Sequence, residues 1–287
     1  PIPTKAAREQ AQPFLDAAVR SCVVNHPGLA RVYDASVETR PGRGKDLAYV
    51  ISEWVDGEPL DAHLASVGAL SGPDAADLLR QAADALAAAH AGGILHGRLH
   101  PRNVLVTPAG RVRLTDATVA SALHGDPTPT SAAALGIARD TSDLAALLYA
   151  LVTARWPATS DLPGGTLPVA PGTASQAMGA RQVRAGVPRA LDAVITRGLE
   201  PARTSLRTPD ALAAAAESAV AEARLVTTVP TGPQPPSRLR RAAPALIVAG
   251  LLSAAGIGGW MLGLAVGDLR RPANAVDAIV STAAPSP

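Results

Sequence analysis

Aromatic side chains are almost missing from this 287-residue chain: one Phe, three Tyr and three Trp, about 2% of the residues. The 47% apolar content is instead carried by Ala, Leu and Val, which points to a compositional bias toward Ala and to high helix propensity throughout. Cysteine is nearly missing too. The single Cys22 excludes an internal disulfide and, with no His or Cys cluster near it, a zinc site, so a small buried hydrophobe is its expected role. Nor is there an excess of one charge. Lys and Arg number 26 against 24 Asp and Glu, so the net charge is only +2 although the pI is near 9.1. Dispersed arginines and so small a surplus argue against a nucleic-acid partner. There is no starting Met and no apolar signal stretch at Pro1, which leads us to expect a piece of a longer protein.

What the chain does have is length enough for one core of about 200 residues plus extensions. Pro244 to Val266 is an uncharged run of 23 residues, the length that crosses a hydrocarbon core of about 30 Å, and it predicts a single transmembrane helix. Arg238, Arg240 and Arg241 precede it and would attract anionic lipid headgroups. Together with Arg270, Arg271 and Asp268 beyond the run, they favour a cytoplasmic N-terminal side at the plasma membrane. Gly259, Gly263 and Gly267 recur every fourth residue, a spacing that either lets two such helices pair as a homodimer or reflects the general frequency of Gly in membrane spans. The expected organisation is a globular domain over 1–225, a Pro-rich linker over 226–243, the span over 244–266 and an outer tail over 267–287.

Within the globular part, strands and helices alternate. Leu29 to Tyr33 and Leu47 to Trp54 read as strands. Ser71, Pro73 and Asp74 then open a helix in which Leu78, Leu79, Ala82, Ala83, Leu86 and Ala89 recur at helical spacing up to Gly92-Gly93. Val104 to Val106 and Val112 to Leu114 flank Thr107-Pro108-Ala109-Gly110, a hairpin. Further helices are expected over 143–152, 188–199 and 209–223.

Between the first long helix and the hairpin lies His96-Gly97-Arg98-Leu99-His100-Pro101-Arg102-Asn103. This octet resembles the catalytic loop of protein kinases, H-R-D-x-K-P-x-N. Other segments fit the same family in order. His26 to Asp34 resembles its H-P-N-I-V-R-V-Y-D strand, and Tyr49 to Leu60 resembles the strand and hinge that meet adenine, with Ser52 as gatekeeper and Glu53, Trp54 and Val55 in the hinge. Leu114 to Thr118 sits at the D-F-G segment, and Thr141 to Leu144 resembles the start of the helix whose Asp holds the catalytic loop. The chain is therefore similar to a bacterial Ser/Thr kinase from its αC helix onward. This implies an α+β, kinase-like two-lobed domain with a truncated N-lobe, followed by the single transmembrane helix.

The departures set the functional expectation. Arg98 stands where the family's catalytic Asp accepts a proton, and a guanidinium has no lone pair for that task. His100 replaces the following Lys, Ala117 and Thr118 replace the Phe and Gly of D-F-G, and Ala17, beside Asp16, falls at the αC Glu. No A-P-E follows, Ser205 stands where its Arg partner would be, and Lys5 lies too near the αC helix to replace the family's strand Lys. A catalytically inactive domain without cofactor or metal is expected, with no catalytic residue and with Arg98 and His100 as degenerate positions.

Asn103, Asp116, Glu53 and Val55 keep the places of nucleotide or metal contacts. Either ATP still binds there, or Asn103 serves the loop backbone and Asp116 pairs with Arg98. The resemblance extends to the pseudokinase region of actinobacterial MviN-type lipid II flippases. It implies a scaffold that regulates lipid II export when an active Ser/Thr kinase modifies a Thr and a forkhead-associated domain protein docks there. Candidate threonines are Thr128, Thr130, Thr227, Thr228 and Thr231. The competing expectation is a membrane-anchored Ser/Thr kinase with unconventional nucleotide-dependent activity.

Overall fold

The computed structural model describes residues 5–38, 47–117, 133–174, 176–200 and 205–228. All of them belong to the first of two compact units, Pro1–Val229. Residues 244–266, where a membrane span is expected, lie outside the described part, and among the described residues no helix is long and apolar enough to cross a membrane.

The elements fall around two apolar clusters. In the smaller, helix α1 (Lys5–Ser21) lays Phe14 and Ala18 against an antiparallel pair, β1 (Val32–Glu38) and β2 (Leu47–Ser52), through Val32, Ala35, Ala48 and Val50. The first strand begins three residues later than the sequence predicts. Leu29 makes only an isolated parallel bridge to Leu114, because the backbone at Leu29 and Ala30 is already bonded to His26 and Leu114. The second strand stops at Ser52, two residues short of Trp54, which is 90% exposed. Cys22 is exposed and not the buried hydrophobe expected of it, since it lies one residue past α1, beyond the turns that bury Phe14, Ala17 and Ala18.

The larger cluster is helical. A short sheet, β3 (Glu58–Pro59), β4 (Val104–Val106) and β5 (Val112–Leu114), carries the predicted hairpin in the register Val104↔Leu114, Leu105↔Arg113, Val106↔Val112. Helix α2 (Leu60–Val67) follows β3, and helix α3 (Gly72–Ala91) starts where the Ser71 hydroxyl accepts the Asp74 N–H. Helix α4 (Ala133–Thr153) begins ten residues before its sequence estimate, because its first turns are small and mixed while the apolar run starts at Leu144. A two-stranded ribbon, β6 (Gly172–Thr173) and β7 (Gln176–Ala177), leads to α5 (Ala180–Val183), α6 (Arg189–Gly198) and α7 (Pro209–Thr228). Helix α7 includes Thr227 and Thr228, which the sequence places in a linker.

Small side chains decide how closely these helices meet. Ala75, Ala82, Ala83, Ala85, Leu86 and Ala89 of α3 and Leu144 to Val152 of α4 are buried, and a Cβ added at Gly198 of α6 would stand 2.6 Å from the Ala145 Cβ. Leu86→Ala, at a fully buried site, should cost about 2–5 kcal/mol in urea unfolding, whereas the exposed Val19→Ala should stay within about 0.5 kcal/mol. Equal losses at the two positions would place the core elsewhere.

Candidate functional site

The octet leaves α3 after Gly92 and returns to β4, and it is fixed along its whole length. Its anchor is the fully buried Asp140 on α4. The two oxygens of that carboxylate accept the His96 N–H and the Gly97 N–H, each at 2.8 Å, and His90 Nε2 of α3 lies 2.8 Å from Oδ2. Gly97 has φ +80°, a left-handed backbone that other residues adopt only with strain, so a Gly stands where the family has Arg. The sequence places the loop-holding Asp at position 143, but the main-chain grip comes from Asp140, one helical turn earlier. Asp143 accepts the Leu99 N–H.

His96 is fully buried, and its Nε2 lies 3.1 Å from the Thr115 carbonyl, which makes Nε2 the protonated nitrogen and leaves Nδ1 without a partner. Burial pushes its pKa below the ordinary value of 6.5, against the pull of Asp140. For Asp143, burial first and the nearby Asp140 second push the carboxyl well above 3.8, against the opposing pull of Arg139, the Leu99 N–H and Arg98. Its Oδ2 is buried without a hydrogen-bond partner.

At the far end of the octet, a single turn of tight helix (Pro101–Asn103) is capped by His100. Asn103 is buried; its Oδ1 accepts the His100 N–H at 3.0 Å and its Nδ2 donates to the Arg98 carbonyl at 2.9 Å. Its side chain therefore serves the loop backbone, while a second lone pair on Oδ1 is left over. Thr115 joins this residue to Asp116: its N–H donates to the Asn103 carbonyl at 2.9 Å, and its hydroxyl lies 3.3 Å from Asp116 Oδ2. Asp116 is exposed and has φ +62°, a backbone strain of about 1–3 kcal/mol for a residue other than Gly. His100 Nδ1 accepts the Arg102 N–H at 3.3 Å, so neutral His100 carries its proton on Nε2. Its pKa is lowered, by burial first and then by His96 and Arg98. Arg98 is half-buried.

The hinge positions have contacts of their own. Glu53 uses its carboxylate to clamp strands, accepting the Arg31 N–H at 3.1 Å and Arg113 Nη2 at 2.5 Å, and its pKa is lowered first by the Arg31 bond. Val55 is half-buried in the same stretch. The Ser21 hydroxyl of α1 lies 3.0 Å from the Ala117 carbonyl, linking that helix to the segment after Asp116. Arg31, Arg113 and Ser21 make structural contacts that sequence reading missed, since each acts on backbone or across more than twenty residues. Thr128, Thr130 and Thr231, and Gly259, Gly263 and Gly267, lie outside the described residues. Among the described residues no three His, Cys, Asp or Glu side chains cluster as a metal site.

Residues 12–135 match the protein kinase domain family. The chain is 38% identical over 126 residues to serine/threonine-protein kinase PknA of Mycobacterium tuberculosis, an alignment that covers 44% of this chain and 29% of the relative. Serine/threonine-protein kinase PrkC of Bacillus subtilis is 28% identical over 150 residues, covering 47% and 22%. Serine/threonine-protein kinase PknB of M. tuberculosis is 27% identical over 168 residues, covering 52% and 26%. The chain thus spans less than a third of the length of these relatives.

Those names overturn the expectation of an inactive scaffold for lipid II export, because the relatives are named as serine/threonine kinases and the kinase-domain match includes the octet. The physical reason is one of magnitude. A positioned base contributes about 10²–10⁴ in rate, while phosphoryl transfer through a loose transition state depends mainly on positioning and charge, so Arg98 alone does not license the conclusion of no enzyme.

The pKa shifts give a prediction with a definite sign. The raised pKa of Asp143 stabilises the fold fully below about pH 4, and this contribution is lost as pH rises through the folded value. The depressed pKa of His96 stabilises above about 6.5, and that contribution is lost as pH falls through its folded value. Asp143→Asn should therefore melt higher than the parent at pH 8, with the gap closing toward pH 4. A gap of constant size across that range would mean that Asp143 does not titrate as described.

Proposed function

With a protein kinase domain at residues 12–135, homologous to bacterial serine/threonine kinases, as premise, we propose that the chain is a membrane-anchored Ser/Thr kinase. It transfers the terminal phosphoryl group of a nucleoside triphosphate to a Ser or Thr hydroxyl by an unconventional loop. The observation that carries this reading is the octet's frame: Asp140 fixes its first half, and Thr115 gathers Asn103 and Asp116 at its second.

The carboxylate of Asp116 and Asn103 Oδ1 are the oxygen groups that would hold a divalent cation of the hard, oxygen-seeking kind, and such an ion would neutralise charge on the phosphates. Arg98 brings a fixed positive charge to the same loop, suited to phosphoryl oxygens, and the Nε2–H of neutral His100 is a donor where the family has Lys. In the step itself, the bond between the terminal phosphorus and the diphosphate breaks as the substrate oxygen bonds to phosphorus. The hydroxyl proton leaves late, to a phosphoryl oxygen, since Arg98 cannot take it. The uncharged run at 244–266 supports the anchor.

The full chain in detergent, given radiolabelled ATP and magnesium, should phosphorylate itself or a general Ser/Thr substrate at a rate about 10²–10⁴ below that of ordinary kinases. Mapping by mass spectrometry should include Thr128, Thr130, Thr227, Thr228 and Thr231. Asp116→Ala should abolish incorporation and Arg98→Asp should raise it. Incorporation no greater than that of Asp116→Ala would overturn the proposal.

A further inference from the structure

Three stretches far apart in sequence meet at one guanidinium. Arg113 stands in the middle of β5, paired with Leu105, and its Nη2 donates to Glu53 Oε2 at 2.5 Å and to the Leu29 carbonyl at 3.1 Å. This is no loose surface bridge. Its side chains are 21% and 29% exposed, against 46% and 57% for the pair of Arg80 with Asp77. Glu53 Oε2 also accepts the Arg31 N–H at 3.1 Å, while the Arg31 guanidinium is engaged elsewhere, donating to Asn25 Oδ1 at 2.8 Å.

The main chain prepares this meeting from both sides. The Leu114 N–H donates to the Gly28 carbonyl and the Ala30 N–H to the Leu114 carbonyl, each at 2.8 Å, and the Glu53 N–H donates to the Arg31 carbonyl at 2.7 Å. The strip 28–31 is thus bonded to β5 through Leu114 and to residue 53 through Arg31, and Arg113 joins those two partners directly. The joined segments carry different ends of a nucleotide site. Glu53 and Val55 lie in the stretch that would meet the base, and three residues after Arg113 comes Asp116, which would meet the phosphates. Arg113 Nε is buried without a hydrogen-bond partner. An apolar side chain would avoid that cost, so packing alone does not account for an Arg here.

Resting on the kinase reading above, we propose that Arg113 is a positioning residue for the nucleotide: by tying Glu53 to β5 it sets the separation between the base-binding stretch and Asp116. Base and triphosphate each bind through their own groups, and the gain from joining them in one molecule depends on the two ends of the site standing at the right separation. A side chain that only held the fold together would affect each fragment as much as the whole.

Calorimetric titration of the full chain in detergent with ATP and magnesium, with adenosine, and with tripolyphosphate and magnesium tests this. Arg113→Met should weaken ATP by about tenfold while changing adenosine and tripolyphosphate by less than about threefold. In the transfer assay it should raise the KM for ATP more than it lowers kcat, and this split decides the matter where a fragment does not saturate below about 10 mM. Arg113→Lys, which keeps the charge, should bring ATP back to within about threefold of the parent. A melt of each variant establishes that it is folded. Glu53→Gln, which keeps an oxygen for the Arg31 N–H but no charge for Arg113, carries the test if Arg113→Met does not fold. Unchanged ATP binding in the folded variant, or equal losses for ATP and both fragments, overturns the proposal and leaves the kinase reading standing. A parent that binds ATP no better than adenosine has no separation to set, and the proposal falls there too, while phosphate incorporation by the parent decides the kinase reading separately.

Discussion

One buried carboxylate organises the site. Asp140 sits on the first half of α4 and takes two consecutive N–H groups of the octet together with an imidazole from α3. Removing the acceptor of the buried His96 amide would strand a donor at about 1–3 kcal/mol, so the loop's course is tied to the position of α4. Everything downstream follows from that tie: His96 reaches Thr115, Thr115 reaches Asn103 and Asp116, and Asp116 is held in a strained backbone on the exposed side. The octet can lose its base and keep its shape because the groups that hold it are main-chain amides, and these do not depend on which side chain occupies position 98.

This explains what the sequence made legible. Helix α3 was readable because its signals are local: a Ser cap, an early Pro, apolar residues at helical spacing and a closing Gly pair. The hairpin was readable for the same reason, its turn residues lying between two β-branched runs. The place of the octet followed from both. Asp140 was not readable, since Asp140 and Asp143 lie three residues apart on one helix and only the packing of α4 against α3 tells which meets the loop amides. The clamp of Glu53 by Arg31 and Arg113 joins three segments far apart in sequence, and no local pattern announces it. The error over activity had another origin: the identity of one side chain was weighed more heavily than the mechanism needs.

The two acids of α4 show how environment divides roles between identical groups. Asp140 is satisfied on both oxygens by N–H donors, the arrangement that a charged carboxylate requires in a protein interior. Asp143, one turn along, has a buried oxygen without a hydrogen-bond partner, and burial pushes its carboxyl well above the usual carboxylate range. The same helix thus holds the octet through Asp140 and borders a cleft through Asp143.

The meeting of α3, α4 and α6 through Ala and Gly has a thermal consequence. Ordering an Ala side chain costs no rotamer entropy, while a Leu costs about 0.5–1 kcal/mol, so this core assembles at low configurational cost. It also removes less apolar surface from water per residue than a core of large rings would. Since the heat-capacity change of unfolding tracks exposed apolar area, the chain's stability should vary gently with temperature, along a broad, low curve in place of a tall, narrow one.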